Sequence, residues 1–201
     1  MISNDSKPRI SLVKLAHSLI KEKVKSGDIA VDATVGNGHD TLFLLGLIKP
    51  GGKVFGFDIQ QSAINATQNK VDKHPFAECV SLINASHEQM SEYVSMDYHG
   101  KISAVMFNLG YLPGSDKRIV TQANTTLAAL ASASELLSVS GIITILAYSG
   151  HEGGEIETEQ VKNWCFALDS TQYQVDQYES HSDKLSAPKL FVVKKNTLKN
   201  R

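Results

Sequence analysis

The sequence predicts a doubly wound α/β fold: a mainly parallel seven-stranded sheet with an antiparallel last strand, preceded by an amphipathic N-terminal helix. Three observations carry that expectation. Over residues 29–149, five short apolar runs alternate with helical stretches, the pattern of parallel strands joined by crossover helices. Several of these runs are nearly continuous in Val, Ile, Leu and Phe, as strands buried on both faces are. Near the C-terminus, two further strands are separated by a polar segment too short for a crossover helix, so they pair antiparallel.

Taken in order, Ile10, Val13, Leu15, Ala16, Leu19, Ile20 and Val24 recur at helical spacing with lysines between them, and Gly27 closes that helix. IAVDATV (29–35) then reads as a buried strand, and 39–48 as a helix stopped by Pro50, Gly51 and Gly52. KVFGFDI (53–59) is the second strand, 61–73 a helix, VSLINAS (80–86) the third strand and 87–94 a helix. ISAVMFNL (102–109) is the fourth strand, 121–138 a helix, GIITILAYS (141–149) the fifth strand and 154–168 a helix. YQVDQYES (173–180) and KLFVVKK (189–195) form the terminal pair around a loop holding Pro188. No repeat or internal linker interrupts the 201 residues, so a single domain spanning 1–201 is expected.

Composition narrows the class. At 42% hydrophobic and 20% charged, the chain has globular proportions, which sets disordered and fibrous classes aside. Cys79 and Cys165 lie far apart with no CxxC or Cys/His spacing, so neither a disulfide framework nor a metal site is expected. The N-terminus lacks an apolar leader region and the apolar stretch 42–48 is too short to span a bilayer, so a cytoplasmic protein without membrane contact is expected. The net charge of −1 is not that of a strong duplex binder, yet the charge is unevenly spread. Residues 1–27 hold six Lys/Arg against Asp5 and Glu22, while residues 152–183 hold eight acids against Lys162. Either both are solvated helix faces, or the basic segment meets a phosphate backbone.

Four motifs fall at carboxyl ends of predicted strands, where open α/β sheets bind ligands. After the first strand, Asp32 is followed by a turn containing Gly36, Asn37 and Gly38, whose glycines allow backbone to approach a ligand and present amides at a helix start. Asp58 ends the second strand, where a carboxylate accepts hydrogen bonds from ribose hydroxyls, and Ile59 and Gln60 follow it. Ser86 and His87 end the third strand, either as ligand contacts or with Ser86 capping the next helix in a box with Gln89. The fourth strand ends in Asn108-Leu109-Gly110-Tyr111, either a plain turn or a polar clamp. A nicotinamide cofactor suits Asp58, but the third glycine of its fingerprint would fall at Thr41 and no Tyr-x-x-x-Lys pair follows the fourth strand.

The five-plus-two strand pattern and these motifs resemble the class I S-adenosylmethionine-dependent methyltransferases. The resemblance implies that Asp32, Gly36, Asn37, Gly38, Asp58, Ile59, Gln60, Ser86, His87 and Asn108 hold S-adenosyl-L-methionine. Methyltransferases acting on amino nitrogens carry a tetrad of the type Asn-Pro-Pro-Tyr at the end of the fourth strand. In that role the Asn108 amide oxygen and the Leu109 carbonyl accept from an amine while Tyr111 packs over it. DATVGNGHDTLFLL, FNLGYLPGSDK and YSGHEGGEIE (148–157) together are similar to the small bacterial "putative rRNA methylase" family, and the likeness spans nearly the whole chain. Departures stand at Thr34 in place of a glycine, at Ser115 in place of a glycine and at Ser149 in place of a proline. The likeness implies methylation of the aminomethyl group of wobble 5-aminomethyl-2-thiouridine, with a tRNA anticodon stem-loop as partner; an rRNA or small-molecule amine methyltransferase, and a non-catalytic interaction protein on the same fold, stay open beside it. His151 follows the fifth strand in a glycine-rich loop and is the expected proton acceptor beside Asn108 and Tyr111, or else a surface histidine. Tyr148 is expected beside the target, and His39 and Asp40 at the first crossover helix, Asp40 favouring its positive end. The oligomeric state is not legible, and a homodimer is compatible with the sequence.

Overall fold

The computed structural model describes residues 11–112, 114, 116, 118–180 and 187–197. The expectations for Ile10, for the basic residues before it and for Ser115 lie outside them. The first helix, α1 (Leu12–Lys23), buries Leu12, Ala16 and Ile20, one residue per turn along one stripe, and leaves Lys14 and Lys21 outside. The elements that follow are β1 (Ile29–Asp32), α2 (His39–Ile48), β2 (Lys53–Asp58), α3 (Gln61–Val71), β3 (Val80–Asn84) and α4 (Met90–Tyr93). The chain continues through β4 (Ile102–Leu109), α5 (Ala123–Leu136), β5 (Leu137–Ala147), α6 (Gly154–Ala167), β6 (Tyr173–Glu179) and β7 (Lys189–Lys195).

The sheet order is β3-β2-β1-β4-β5-β7-β6, parallel throughout except at β7, which lies between β5 and β6 and runs against both. Alternation along the strands sorts two cores. Ala30, Val54, Ala104, Met106, Ile142 and Val192 face Ala16 and Ile20 of α1 and Leu44, Leu45 and Ile48 of α2. Val31, Phe55, Val105, Phe107, Ile143 and Val193 face the other way, onto Ala129, Leu130 and Ala133 of α5 and Val161 and Cys165 of α6. Cys79 and Cys165 are buried free thiols, and burial pushes Cys165 up to about 12. The chain leaves β1 for β2 on one side and returns on the other as β4, so a crevice opens between the carboxyl ends of β1 and β4.

Most element ends lie a few residues from the sequence expectation, and three of the differences have a clear local reason. β1 stops at Asp32, because Ala33 and Val35 are buried turn residues rather than strand residues. The predicted helix at 87–94 is a 3-10 turn (His87–Gln89) followed by one turn of α-helix. Ser86 makes no side-chain cap there, and its carbonyl instead accepts from the Gln89 N–H at 3.0 Å. β5 begins at Leu137 and not at Gly141, since α5 runs into it without a loop. A bulge with Ser140 at φ 64° then absorbs the change of direction.

Candidate active site

A cavity of about 800 Å³ lies across the carboxyl ends of β1 to β5. Its floor on one side is the turn after β1. Gly36 sits at φ 49°, strained for a residue with a side chain, and a Cβ there would crowd Leu112 Cδ1 at 3.2 Å, so glycine eases the backbone's approach to the cavity. Its N–H donates to Asp58 Oδ2 at 2.8 Å, and the Gln60 N–H donates to Asp58 Oδ1 at 2.8 Å. Burial raises the Asp58 carboxyl above its ordinary range, and these two amide bonds oppose that shift. Asn37, Ile59, Gln60, Ser86 and His87 also line the cavity, with Ile59 offering an exposed apolar side chain at its rim. The His87 Nδ1–H donates to the Ala33 carbonyl at 3.3 Å and its ring meets Phe107 edge-on; burial lowers its pKa, which favours the neutral ring.

Two residues expected at the cofactor stand elsewhere. Asp32 is wholly buried behind the turn, accepting from Thr41 Oγ1 at 2.6 Å and from the Thr34 N–H at 3.2 Å, and it does not line the cavity. Burial, with a further push from the nearby Asp40 carboxylate, raises it to about 7. Its work is to tie the turn to α2. Gly38 is likewise behind the cavity wall: at φ 76° it starts α2, and a Cβ would lie 2.6 Å from the Thr67 side chain. Helix packing, not ligand approach, demands a glycine there.

The opposite side of the cavity is built from the ends of β4 and β5. The Asn108 N–H donates to Thr34 Oγ1 at 2.8 Å, so the threonine that replaces a turn glycine anchors the end of β4. The Asn108 side chain donates from Nδ2 to Asp40 Oδ2 at 2.7 Å. An ionised carboxylate only accepts, so the amide nitrogen must face it, and Oδ1 is left without a hydrogen-bond partner among the described residues. The Leu109 carbonyl, expected to accept from an amine, already accepts from the Tyr148 N–H at 3.1 Å. Gly110 has φ 149°, a conformation that favours glycine, and its carbonyl accepts from the Thr121 N–H at 2.9 Å. Tyr111 bridges to Val120 and stands edge-on to His151 with ring centroids 6.3 Å apart. It is half-exposed rather than in the core.

His151 lines the same cavity, and both ring nitrogens are buried without a hydrogen-bond partner among the described residues. Space for the ring comes from Gly154, where a Cβ would lie 2.6 Å from His151 Cε1 and 2.7 Å from Nδ1. Tyr148 also lines the cavity; burial first, and the Asp40 charge second, raise its hydroxyl pKa.

Sequence reasoning placed Asp40 at the helix dipole and passed over His17. The structure brings them together: His17 Nε2 lies 2.6 Å from Asp40 Oδ1. Contacts made 23 and 68 residues away along the chain leave no periodic signal. Among the described residues no cluster of three or more His, Cys, Asp or Glu is arranged to hold a metal, and no helix is long and apolar enough to cross a membrane.

The strand order with its inserted antiparallel strand, the glycine turn and the acidic end of β2 define a Rossmann-like, S-adenosylmethionine-dependent methyltransferase. The chain belongs to the family described as "Putative rRNA methylase", whose model matches residues 54–194. It is 34% identical over 195 residues to the chloroplastic tRNA (mnm(5)s(2)U34)-methyltransferase of Arabidopsis thaliana, covering 93% of this chain and 70% of the relative. Among solved structures, a putative rRNA methylase of Clostridium thermocellum superposes with a TM-score of 0.86 at 38% identity, covering 97% of this chain and 99% of the other. A putative methyltransferase of Streptococcus mutans, solved in complex with SAH, gives 0.81 at 33% identity with the same coverage.

The cavity fits that cofactor on its own terms. It combines a glycine turn open to backbone approach, a carboxylate at the end of β2 and an apolar rim. When bound, S-adenosylmethionine supplies an electrophilic methyl group.

Proposed function

We propose that the chain methylates the aminomethyl nitrogen of wobble 5-aminomethyl-2-thiouridine in tRNA, with the anticodon stem-loop as the bound partner. On this reading Gly36, Asn37, Asp58, Ile59, Gln60, Ser86 and His87 hold the cofactor, and Asn108, Tyr111 and His151 serve the acceptor. The observation that carries it is the Asn108 amide, locked through Nδ2 on Asp40 so that Oδ1 stays open at the cavity. An alkyl amine needs such an acceptor, since its N–H must be directed for the lone pair to face the methyl group. It must also lose a proton. An ammonium with a pKa near that of lysine costs roughly 4 to 5 kcal/mol to deprotonate at neutral pH. His151, whose two ring nitrogens have no partner among the described residues, receives that proton on this reading, while Tyr111 and Tyr148 flank the target.

Charge supports an amine over an anion. Asp40 lines the cavity and no Lys or Arg does so among its described lining. RNA is supported by the relative's tRNA activity and by α1, where Val13 lines the cavity and Lys14 and Lys21 are exposed on the same helix. The test is mass spectrometry of tRNA nucleosides from a strain lacking the gene. The expected result is loss of 5-methylaminomethyl-2-thiouridine with accumulation of its aminomethyl precursor; an unchanged tRNA profile overturns the reading.

A further inference from the structure

His17, Asp40 and Asn108 form one continuous chain from α1 through α2 to the end of β4. The His17 ring is stacked on Phe43, with centroids 3.9 Å apart and planes within 6°. Phe43 and Asp40 are three residues apart on α2, so one face of that helix holds the imidazole by both its plane and its edge. Because an ionised carboxylate only accepts, His17 Nε2 carries the hydrogen in the 2.6 Å contact to Oδ1. Oδ2 takes Asn108 Nδ2 at 2.7 Å. Each Asp40 oxygen therefore has its own charge-assisted donor, and the carboxylate cannot rotate without losing both.

We propose that His17 and Asp40 are positioning residues that fix the side-chain amide of Asn108, keeping Oδ1 and not Nδ2 toward the acceptor. This rests on the reading of Asn108 as the group that orients the amine. The terminal torsion of an asparagine is broad, and its oxygen and nitrogen are nearly the same shape, so packing alone does not choose between them. The flipped rotamer presents a donor to the amine where an acceptor is required. A carboxylate behind the amide makes the choice, and His17 holds the carboxylate in turn, as supporting hydrogen bonds do at other preorganised sites. The chain begins on the helix that also lines the cavity through Val13, so the wall that meets substrate and the group that orients it are mechanically joined.

The test pairs a structural readout with a kinetic one. In proton–nitrogen spectra of the wild-type protein, one Asn108 side-chain amide proton is expected shifted downfield and slow to exchange, assigned by its absence in Asn108→Ala. It should be lost in Asp40→Ala, weakened in His17→Ala and kept in His17→Gln, whose amide can still donate to the carboxylate. In single-turnover methyl transfer, Asp40→Ala should lower the rate about 100-fold and His17→Ala about tenfold. His17→Gln should stay within a few-fold, with cofactor affinity unchanged throughout and the RNA KM unchanged in the His17 variants. An unaltered Asn108 resonance in folded Asp40→Ala, full turnover in folded His17→Ala, or a rate loss that merely follows the folded fraction overturns the proposal. Should the wild-type protein transfer no methyl group to RNA, the proposed function falls, and the amide resonances still decide the positioning chain.

Discussion

The two sides of the cavity solve opposite problems. On the side of β1 and β2, the polar groups are paired: Asp58 accepts from two backbone amides and His87 donates to the Ala33 carbonyl. Behind that side, Asp32 accepts from Thr41 and Thr34. On the side of β4 and β5, Asn108 is fixed by its nitrogen while its oxygen has no partner among the described residues, and the same holds for both buried ring nitrogens of His151. Buried polar atoms without partners cost free energy, so the two ring nitrogens of His151 favour a ligand group at that wall. On the proposed reading, the first side is the cofactor cradle and the second the wall for the acceptor.

The comparison breaks most sharply at Asn108. Asn108→Ala is expected to lower the methyl-transfer step about 100-fold or more while leaving the melting temperature and cofactor affinity nearly unchanged, because a prealigned acceptor acts mainly in the transition state. A turn residue would instead lower stability and activity together. On the cradle side, Asp58→Ala should weaken cofactor binding by about 1 to 3 kcal/mol by calorimetry, the cost of unpaired ribose hydroxyls, with the maximal rate little changed.

Behind the cradle, Asp32 makes a prediction about pH. Its folded pKa, about 7, lies above its ordinary value of 3.8, so the folded state holds the proton longer than the unfolded chain does. The stability this contributes is fully present below pH 4 and is lost as pH rises through 7, with a slope of up to about 1.4 kcal/mol per pH unit. Asp32→Asn should flatten that part of the curve, which denaturant unfolding at pH 5 and pH 8 will show. The smallest effect is expected on α1. Removing the charges of Lys14 and Lys21 should reduce the salt slope of stem-loop binding by about one unit per lost contact. An unchanged slope would make that face merely solvated.

Much of this was legible where one-dimensional pattern and three-dimensional role coincide. β4, β7 and α2 begin and end where the apolar runs and their flanking glycines and prolines place them. Asp58, Gly36, Asn108 and His151 were visible because the carboxyl end of a parallel strand is a known address for ligands. Pattern failed where one residue type serves two purposes. Ala33 and Val35 are as apolar as strand residues but form the turn, and Leu136 passes into Leu137 without the loop that would separate helix from strand. Asp32 and Gly38 carry the signature of a cofactor turn, yet the first is tied to Thr41 and the second is packed on Thr67. Asp40 does stand in the first turn of α2 as expected, but its partners, His17 and Asn108, come from distant parts of the chain and left no pattern.

An alkyl amine is the proposed acceptor at the wall of β4 and β5. It is tested most directly by giving the protein isotopically labelled S-adenosylmethionine and two anticodon stem-loops, alike except that only one bears the aminomethyl group on its wobble 2-thiouridine. One labelled methyl per molecule is expected on the aminomethyl nitrogen, and none on the other stem-loop. Label on a ring nitrogen or a ribose oxygen, or equal label on both RNAs, would contradict it.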